Sequence, residues 1–425
     1  MHTNGVGRLS QIILQIIHLI KQIIKQTEMK EKFQPLFESY TFNNGVTARN
    51  RLAIAPLTHW SADKDGQSTD EELSYLKARA HGFGLFISAA TAVSREGIGF
   101  TGQPAAYRES DENSLRKRAK AMKSEGALAI AQLQHAGAAA VTALNGGVAF
   151  APSLLDDQKI DTLGNKLKVK TEALTEEGIR NVIHDFAYAT ELAIRAGFDG
   201  IELHGANGYL LQQFFSAKTN KRTDDWGGTL EKRMRLPLAV TDAVMEVRKR
   251  MNRPDFIIGY RLTPEEPGEN GLTMDETLAL IDALADKGVQ YVHMSLHGFY
   301  NKARRGAGAG QPRLQLAKDR LKGRGVALIG VGGLRTPVMA LEAYNSHLAD
   351  FVAIGLGVLV NPNFVELIET GKENRARKLP NIFRNAAYHQ LPEPMWNQMM
   401  TFVPKWALRF ATVVGKLLGW KTVRR

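Results

Sequence analysis

"ELAIRAGFDGIELHGANGYLLQQFFS" runs from Glu191 to Ser216 and reads as a helix end, a strand and a turn. Gly197 is the residue type that tolerates a left-handed helix stop. "GIELHG" (200–205) is nearly continuous in apolar residues, as strands buried on both faces are. His204, Asn207 and Tyr209 then crowd the place where that strand should end, with Gly205, Ala206 and Gly208 between them. Either the turn merely happens to be polar or it is a binding site.

The same unit recurs along the chain. Strand-like runs stand at "RLAIAPL" (51–57), "GLFISAAT" (84–91), "ALAIAQL" (127–133), 200–205, "FIIGYRL" (256–262), "YVHMSL" (291–296), "VALIGVG" (326–332) and "FVAIGLG" (351–357). Helical patterns lie between most of them. Their starts carry capping signals: Thr69 with Glu72, Thr273 with Glu276, and Thr336 before Pro337. Gly288 marks another helix end. Eight such units favour an α/β fold of the closed (β/α)8 TIM-barrel type over an open doubly wound sheet. Wide spacings after strands three and four predict insertions, the first ("NGGVAFAPSLLDDQKIDTLGNKLKVKTEALT", 145–175) a small hairpin or lid. The expected organisation is an amphipathic extension over 1–30, a barrel over 31–375, and a basic, aromatic helical tail over 376–425.

Composition narrows the chemistry. The 425 residues are 44% hydrophobic and 23% charged, ordinary for a globular protein. There is no cysteine, so disulfides, thiolate nucleophiles and iron–sulfur clusters are excluded. This suits a reducing compartment, and a cytoplasmic location is expected. The formal charge is +12, but residues 1–30 carry +3 of it and residues 391–425 carry +5. The excess belongs to the tails, which argues against a nucleic-acid groove. In the first tail Ile12, Ile13, Ile16, Ile17, Ile20, Ile23 and Ile24 recur at helical spacing. Three readings stay open there: a helix packed on the body or on a partner copy, an interfacial membrane helix, or residues upstream of a start at Met29. In the last tail Trp396, Trp406 and Trp420 mix with apolar and basic residues. That composition suits either a membrane surface or a helix packed on the barrel or a neighbouring subunit.

A barrel of this kind builds its active site at the C-terminal ends of the strands. Strand one offers Pro56, Leu57, Thr58, His59 and Trp60; strand three Gln132, Gln134 and His135; strand five Arg261. Strand seven offers Gly332, Gly333 and Arg335, and strand eight Gly355 and Gly357. Aspartate and glutamate are scarce in this inventory, so metal-assisted or paired-carboxylate chemistry is not expected, and no metal ligand is assigned. Hydrogen bonding to a planar, phosphorylated ligand fits better. The glycines after strands seven and eight expose backbone N–H groups where phosphate often binds, although tight turns would also explain them. "GIGFTG" (97–102) matches a dinucleotide pattern, but no strand runs directly into it and no helix opens on it, so it is read as a loop.

From Phe33 to about Glu369 the chain resembles the old yellow enzyme family of FMN-dependent oxidoreductases, in its bacterial NADH:flavin oxidoreductase branch. The resemblance rests on "NRLAIAPLTHWSA", "IAQLQHAG", "YRLTPEE", "GVGGLRTP" and above all "DGIELHGANGYLLQQFFSAKTNKRTDDWGG", where Asn220, Arg222, Asp224, Trp226, Gly227 and Gly228 follow the polar turn. It implies FMN as cofactor and NADH or NADPH as electron donor. Pro56, Leu57, Thr58 and Ala90 would line the flavin, Gln132 would meet its pyrimidine end, and Arg261 would sit where reduction places negative charge. Gly332, Gly333, Gly355 and Leu356 would hold the phosphate. His204 and Asn207 would donate to a substrate carbonyl or nitro oxygen, Tyr209 would protonate the α-carbon, and Trp60 would line the cavity. His59 and His135 are expected to be structural, and Asn220, Arg222 and Asp224 to order a loop.

The implied activity is ene-reductase-type hydride transfer from NAD(P)H through FMN to an electron-poor alkene, nitro compound or quinone. A homo-oligomer acting on a small-molecule acceptor is expected, with peripheral membrane contact through the basic tails left open. One departure stands out. Leu356 occupies the place where the family usually has a phosphate-gripping arginine, so backbone N–H groups, with Arg335, are expected to compensate. The competing readings are a barrel aldolase or isomerase on a phosphorylated substrate and a non-catalytic or membrane-associated flavoprotein.

Overall fold

The computed structural model describes residues 31–154, 158–160, 166–168, 171–306, 308–401 and 403, with only the backbone for 158–160 and 166–168. The amphipathic pattern before residue 31 and the stretch 404–425, with Trp406 and Trp420, lie outside the described residues. Eight parallel strands form the frame: β1 (Leu52–Ile54), β2 (Leu85–Ile87), β3 (Leu128–Gln134), β4 (Gly200–Gly205), β5 (Ile257–Leu262), β6 (Tyr291–Met294), β7 (Ala327–Val331) and β8 (Phe351–Ile354). Each pairs with the next, β8 pairs with β1, and the ring is closed. Between them run α1 (Asp70–Lys77), α2 (Asp111–Met122), α3 (Glu176–Arg195), α4 (Leu230–Arg250), α5 (Met274–Asp286), α6 (Arg313–Leu321) and α7 (Pro337–Asn345), with α8 (Phe364–Glu369) after the last strand.

The near-continuous apolar strands are explained by two cores. Outward residues such as Ile54, Phe86, Leu133, Ile201, Ile258, Val292, Leu328 and Val352 pack under the helices. Inward residues such as Ala53, Leu85, Ile130, Ile257, Ala327, Ile329 and Phe351 form a separate interior core. Period-two alternation sends neighbouring residues to opposite cores, and burying one aliphatic side chain contributes about 1.5–3 kcal/mol. A short antiparallel hairpin, Tyr40–Thr41 with Thr47–Ala48, plugs the bottom. Its Phe42 ring stacks on Phe351 at 5.6 Å.

The helices begin where the caps indicate. Thr69 accepts from Glu72 N, Thr273 and Glu276 form a reciprocal box, and Thr336 accepts from Met339 N with Pro337 in the first turn. Several strands end earlier than their apolar runs, β6, β7 and β8 among them, and at β1 and β2 the cause is plain. β1 stops at Ile54 because Pro56 has no N–H to continue the ladder; the last bond is Ala55 N to Ile354 O at 3.1 Å. β2 stops at Ile87, where the Ser88 hydroxyl takes the Gln132 N–H at 3.0 Å. The insertion after β3 contains the expected hairpin, Gln158–Ile160 against Lys166–Lys168.

Past the barrel, the helix Glu393–Thr401 buries Met395, Trp396 and Met400 in the outer core. Trp396 stacks on His389 at 4.9 Å, so it is a packing residue and leaves the group of candidate membrane-surface aromatics. Arg79, fully buried, fastens this segment to the barrel. Its guanidinium donates to the carbonyls of His389 (3.0 Å), Gln390 (2.8 Å) and Val358 (3.1 Å) and lies over the Tyr75 ring.

Candidate active site

β4 carries Gly200, Glu202 and His204 inward, and the chain then turns sharply over the barrel mouth. Asn207 and Gly208 both take left-handed backbone angles, φ +58° and +76°, which asparagine and glycine tolerate. Two glutamines hold the turn in place. Gln212 accepts from Gly208 N at 2.8 Å, while Gln213 donates to Ala136 O at 3.0 Å and accepts from Ala138 N at 2.9 Å. Glu266 takes the Gln212 amide at 2.6 Å from the far side. The turn is therefore braced by side-chain bonds from two directions.

His204 is buried, and its Nδ1 accepts from Ala206 N at 3.3 Å. Burial, then Arg261 and His293, push its pKa well below the usual imidazole range. A neutral ring whose Nδ1 accepts must carry its proton on Nε2, which leaves a neutral donor. The Tyr209 ring meets it edge-on at 4.9 Å. Burial raises the Tyr209 hydroxyl above the ordinary tyrosine value, with Arg261 pulling the other way, so the phenol keeps its proton at neutral pH. Asn207 N donates to Thr263 Oγ1 at 2.9 Å, and its Oδ1 accepts from Ser295 Oγ at 2.9 Å. With the oxygen committed, the amide presents N–H groups. Ser295 also receives Arg261 Nη2 at 3.1 Å, so Asn207 and Arg261 share one bridging hydroxyl.

Beneath these groups lies a buried polar stack. Strand register sets Gln132 beside Glu202, His204 beside Arg261, and Arg261 beside His293. Glu202 Oε1 accepts from Gln132 Nε2 at 2.6 Å, and Oε2 meets His293 Nδ1 at 2.9 Å. Burial opposes its charge, but His293, Arg261 and Gln132 together hold the carboxyl below the usual range. Burial also lowers Arg261, offset first by Glu202. One carboxylate inside the barrel is missing from the inventory of strand ends, which is otherwise poor in acids. Glu202 stands two residues before His204, hence on the same inward face, and the i, i+2 spacing was the signal for it. The Tyr291 hydroxyl stands against Glu202, and burial together with that carboxylate pushes it well above the ordinary tyrosine range. Arg261 Nε and His293 Nε2, by contrast, are buried without a partner. Such groups are costly to leave unsatisfied and mark the place where a polar ligand belongs.

At the other strand ends the expected residues fall into two groups. Pro56, Leu57 and Thr58 follow β1 half-buried, and Leu57 Cδ2 lies 3.6 Å from where a Gly355 Cβ would stand. Trp60 has φ +53° and packs edge-on against Phe100 at 6.3 Å. Ala90 is buried, and its carbonyl accepts from Gln103 Nε2 at 3.1 Å. His59 instead turns to α1: its Nδ1 accepts from Ser61 N at 3.3 Å, and Nε2 lies 3.1 Å from Glu72, itself paired to Arg118 at 2.7 Å. His135 continues the outward parity of Leu133 and accepts from Gly137 N at 3.0 Å. Both are structural. "GIGFTG" is a loop, and its glycines give clearance: a Cβ at Gly97 would strike the His135 ring, and one at Gly102 the Trp60 carbonyl.

The glycines after β7 and β8 form one corner. A Cβ on Gly332 would reach the Gly298 backbone at 2.8 Å, and one on Gly357 the carbonyls of Arg335 and Leu334 at 3.1 and 3.2 Å. Gly355 caps a short helix, Leu356–Val360. Arg335 is half-buried and makes no ion pair among the described residues. Asn220, Arg222 and Asp224 order the loop that follows the turn. Asn220 Nδ2 donates to Phe214 O and Trp226 O, both at 2.7 Å, and Arg222 joins Asp224 to the carbonyls of Pro152 (2.9 Å) and Leu174 (2.6 Å) at the base of the hairpin insertion.

Residues 35–375 match the model of the NADH:flavin oxidoreductase / NADH oxidase family. The chain is 41% identical over 376 residues to a Bacillus subtilis (strain 168) protein named probable NADH-dependent flavin oxidoreductase YqiG, covering 88% of this chain and 97% of that one. It is 35% identical over 367 residues to an NADH:acrylate oxidoreductase of Vibrio harveyi, covering 86% of this chain but 36% of that longer protein. Among solved structures, the old yellow enzyme homologue from Zymomonas mobilis superposes with a TM-score of 0.70 at 26% identity, covering 87% of this chain and 99% of that one.

Proposed function

Because the chain belongs to the NADH:flavin oxidoreductase / NADH oxidase family and is an FMN-dependent NAD(P)H oxidoreductase, we propose that the turn after β4 is its acceptor site and the polar stack beneath is its flavin bed. Bound FMN supplies two-electron hydride chemistry, taking hydride from NAD(P)H and passing it to an electron-poor acceptor. The residues present fit that group. Arg261 offers an unpartnered, buried N–H, and Gly332, at φ +135° with the Gly298 backbone 2.8 Å from where its Cβ would stand, admits no side chain. Gln132, Ala90, Pro56, Leu57 and Thr58 would complete the bed, and Gly333, Leu356 and Arg335 the phosphate corner. The arginine of the family pattern is replaced by Leu356, so backbone N–H groups and the unpaired Arg335 carry that role.

His204 Nε2–H and the Asn207 amide are two neutral donors for one acceptor oxygen. Hydride arrival at the β-carbon builds charge on that oxygen, and fixed donors stabilise it without reorganising. Tyr209 then delivers its proton to the α-carbon, and Trp60 closes one wall. The carrying observation is that His204 Nδ1 accepts from Ala206 N, which leaves Nε2 to donate, while the ring meets Tyr209 edge-on. An aldolase or isomerase would want a free lysine or carboxylate, yet the interior carboxylate Glu202 is bonded to Gln132 and His293. The acceptor is a small molecule with an electron-poor double bond, nitro group or quinone ring. No described helix is long and apolar enough to cross a membrane.

Anaerobic titration with NADH and NADPH, followed by mixing with enones, nitro compounds and quinones, tests this reading. Tyr209→Phe should slow alkene reduction by about 10²–10⁴-fold and leave flavin reduction intact. Equal loss in both half-reactions rejects Tyr209 as the proton donor.

A further inference from the structure

Glu202 is the one carboxylate at an inward barrel position among the described residues, and it is fully buried. An ionised carboxylate accepts and cannot donate. The Gln132 atom 2.6 Å from it is therefore the amide nitrogen, and the His293 Nδ1 at 2.9 Å carries a proton. Two polarities follow. The Gln132 oxygen is turned away from Glu202, and His293 Nε2 is a bare acceptor with no partner. Arg261, one register step from His204 and His293, is the nearby cation, yet Glu202 forms no direct ion pair with it. A buried charge kept apart from its countercharge is expensive as a fold device, since the desolvation cost is poorly repaid. The same separation is useful if something lies between or beside the two charges.

We infer that Glu202 is a positioning residue for the flavin: it holds the Gln132 amide with its oxygen toward the ligand and sets a negative charge against Arg261, making the bound flavin harder to reduce. Hydride from NAD(P)H brings two electrons and one proton, leaves NAD(P)+, and makes the ligand one charge more negative. Arg261 favours that change and Glu202 opposes it. Removing the Glu202 charge without changing its size should therefore favour reduction.

The inference rests on the reading of Gln132 and Arg261 as flavin residues, and the experiment separates the two. Wild-type and Glu202→Gln holoenzymes are equilibrated anaerobically with a reference dye. The variant should show at least a tenfold larger equilibrium constant for reduction, a rise of about 30 mV for a two-electron couple. A bound flavin with the same or a lower potential overturns the role of Glu202. Wild-type protein that binds no FMN overturns the flavin-bed reading instead. Wild-type protein labelled with ¹⁵N-histidine gives a second measurement should the variant fail to fold. His293 should be the neutral Nδ1–H tautomer at pH 7, and an Nε2–H tautomer or an imidazolium there overturns the proposal.

Discussion

The two halves of the barrel interior differ in kind. Strands β7, β8, β1 and β2 point only apolar side chains inward, among them Ala327, Ile329, Phe351, Ala353, Ala53, Leu85 and Ile87, and make most of a dry core that Ile130 and Ile257 complete from β3 and β5. Strands β3 to β6 point Gln132, Glu202, His204, Arg261, Tyr291 and His293 into the same space. The first half is close-packed and needs nothing more. The second pairs many of its polar groups with one another but leaves Arg261 Nε and His293 Nε2 buried and unpartnered, at a cost in stability. One side of the barrel holds the fold together; the other is arranged for chemistry, and substitutions should separate accordingly.

Arg261→Met tests the polar half most severely. Reduction by NADH should fall about 10²–10³-fold, the cost of one fixed charge-stabilising group, while circular dichroism stays native. A rate within threefold of wild type would remove Arg261 from the site. Ile329→Ala makes the opposite break: about 3 kcal/mol lost in urea denaturation, with both half-reactions within threefold. A loss below about 1 kcal/mol would mean that the dry half is loosely packed. A titration separates inner from outer histidines. Burial holds His135 at about 4, against an ordinary 6.5, so its neutral form is favoured in the fold. Its contribution is complete above pH 6.5 and lost as pH falls towards 4. Wild type should therefore lose about 3 kcal/mol more than His135→Gln between pH 7 and 4, and parallel curves would refute it. Ser295→Ala is the mildest change. Losing the bridge from Arg261 to Asn207 should raise the acceptor KM three- to tenfold, worth about 1 kcal/mol, and leave NADH reduction unchanged. A slowed reduction step would show that Ser295 serves the flavin rather than the acceptor.

The dry half was legible in the sequence because strands apolar on both faces have few other uses, and the Thr69, Thr273 and Thr336 caps fixed where helices begin. The polar turn was legible because His204, Asn207 and Tyr209 stand within six residues of one another. Glu202 was not, because a lone glutamate inside "GIELHG" looks like an edge-strand or solvent residue until its parity with His204 is taken seriously. Its partners Gln132 and His293 lie on two other strands, and only barrel closure brings them together. Strand ends were misjudged where Pro56 and Ser88 interrupt a ladder that hydropathy alone would extend. Trp396 stayed open between two readings because composition cannot tell a tryptophan stacked on His389 from one facing a lipid surface, and the packed helix is the one observed.

His59, His135 and His204 close three different strands with the same local bond, the ring Nδ1 accepting from the N–H two residues on. That bond works as a standard mount. It sets the tautomer and ring direction from the backbone alone, whatever the outer nitrogen is for. At His59 the outer nitrogen meets a helix glutamate; at His204 it is free to face an acceptor. A histidine followed by any residue and then a small one is thus a portable fitting. Grafted at the mouth end of another strand, it should deliver a neutral N–H donor without any supporting carboxylate, so the position of the donor on the rim can be changed without redesigning the barrel.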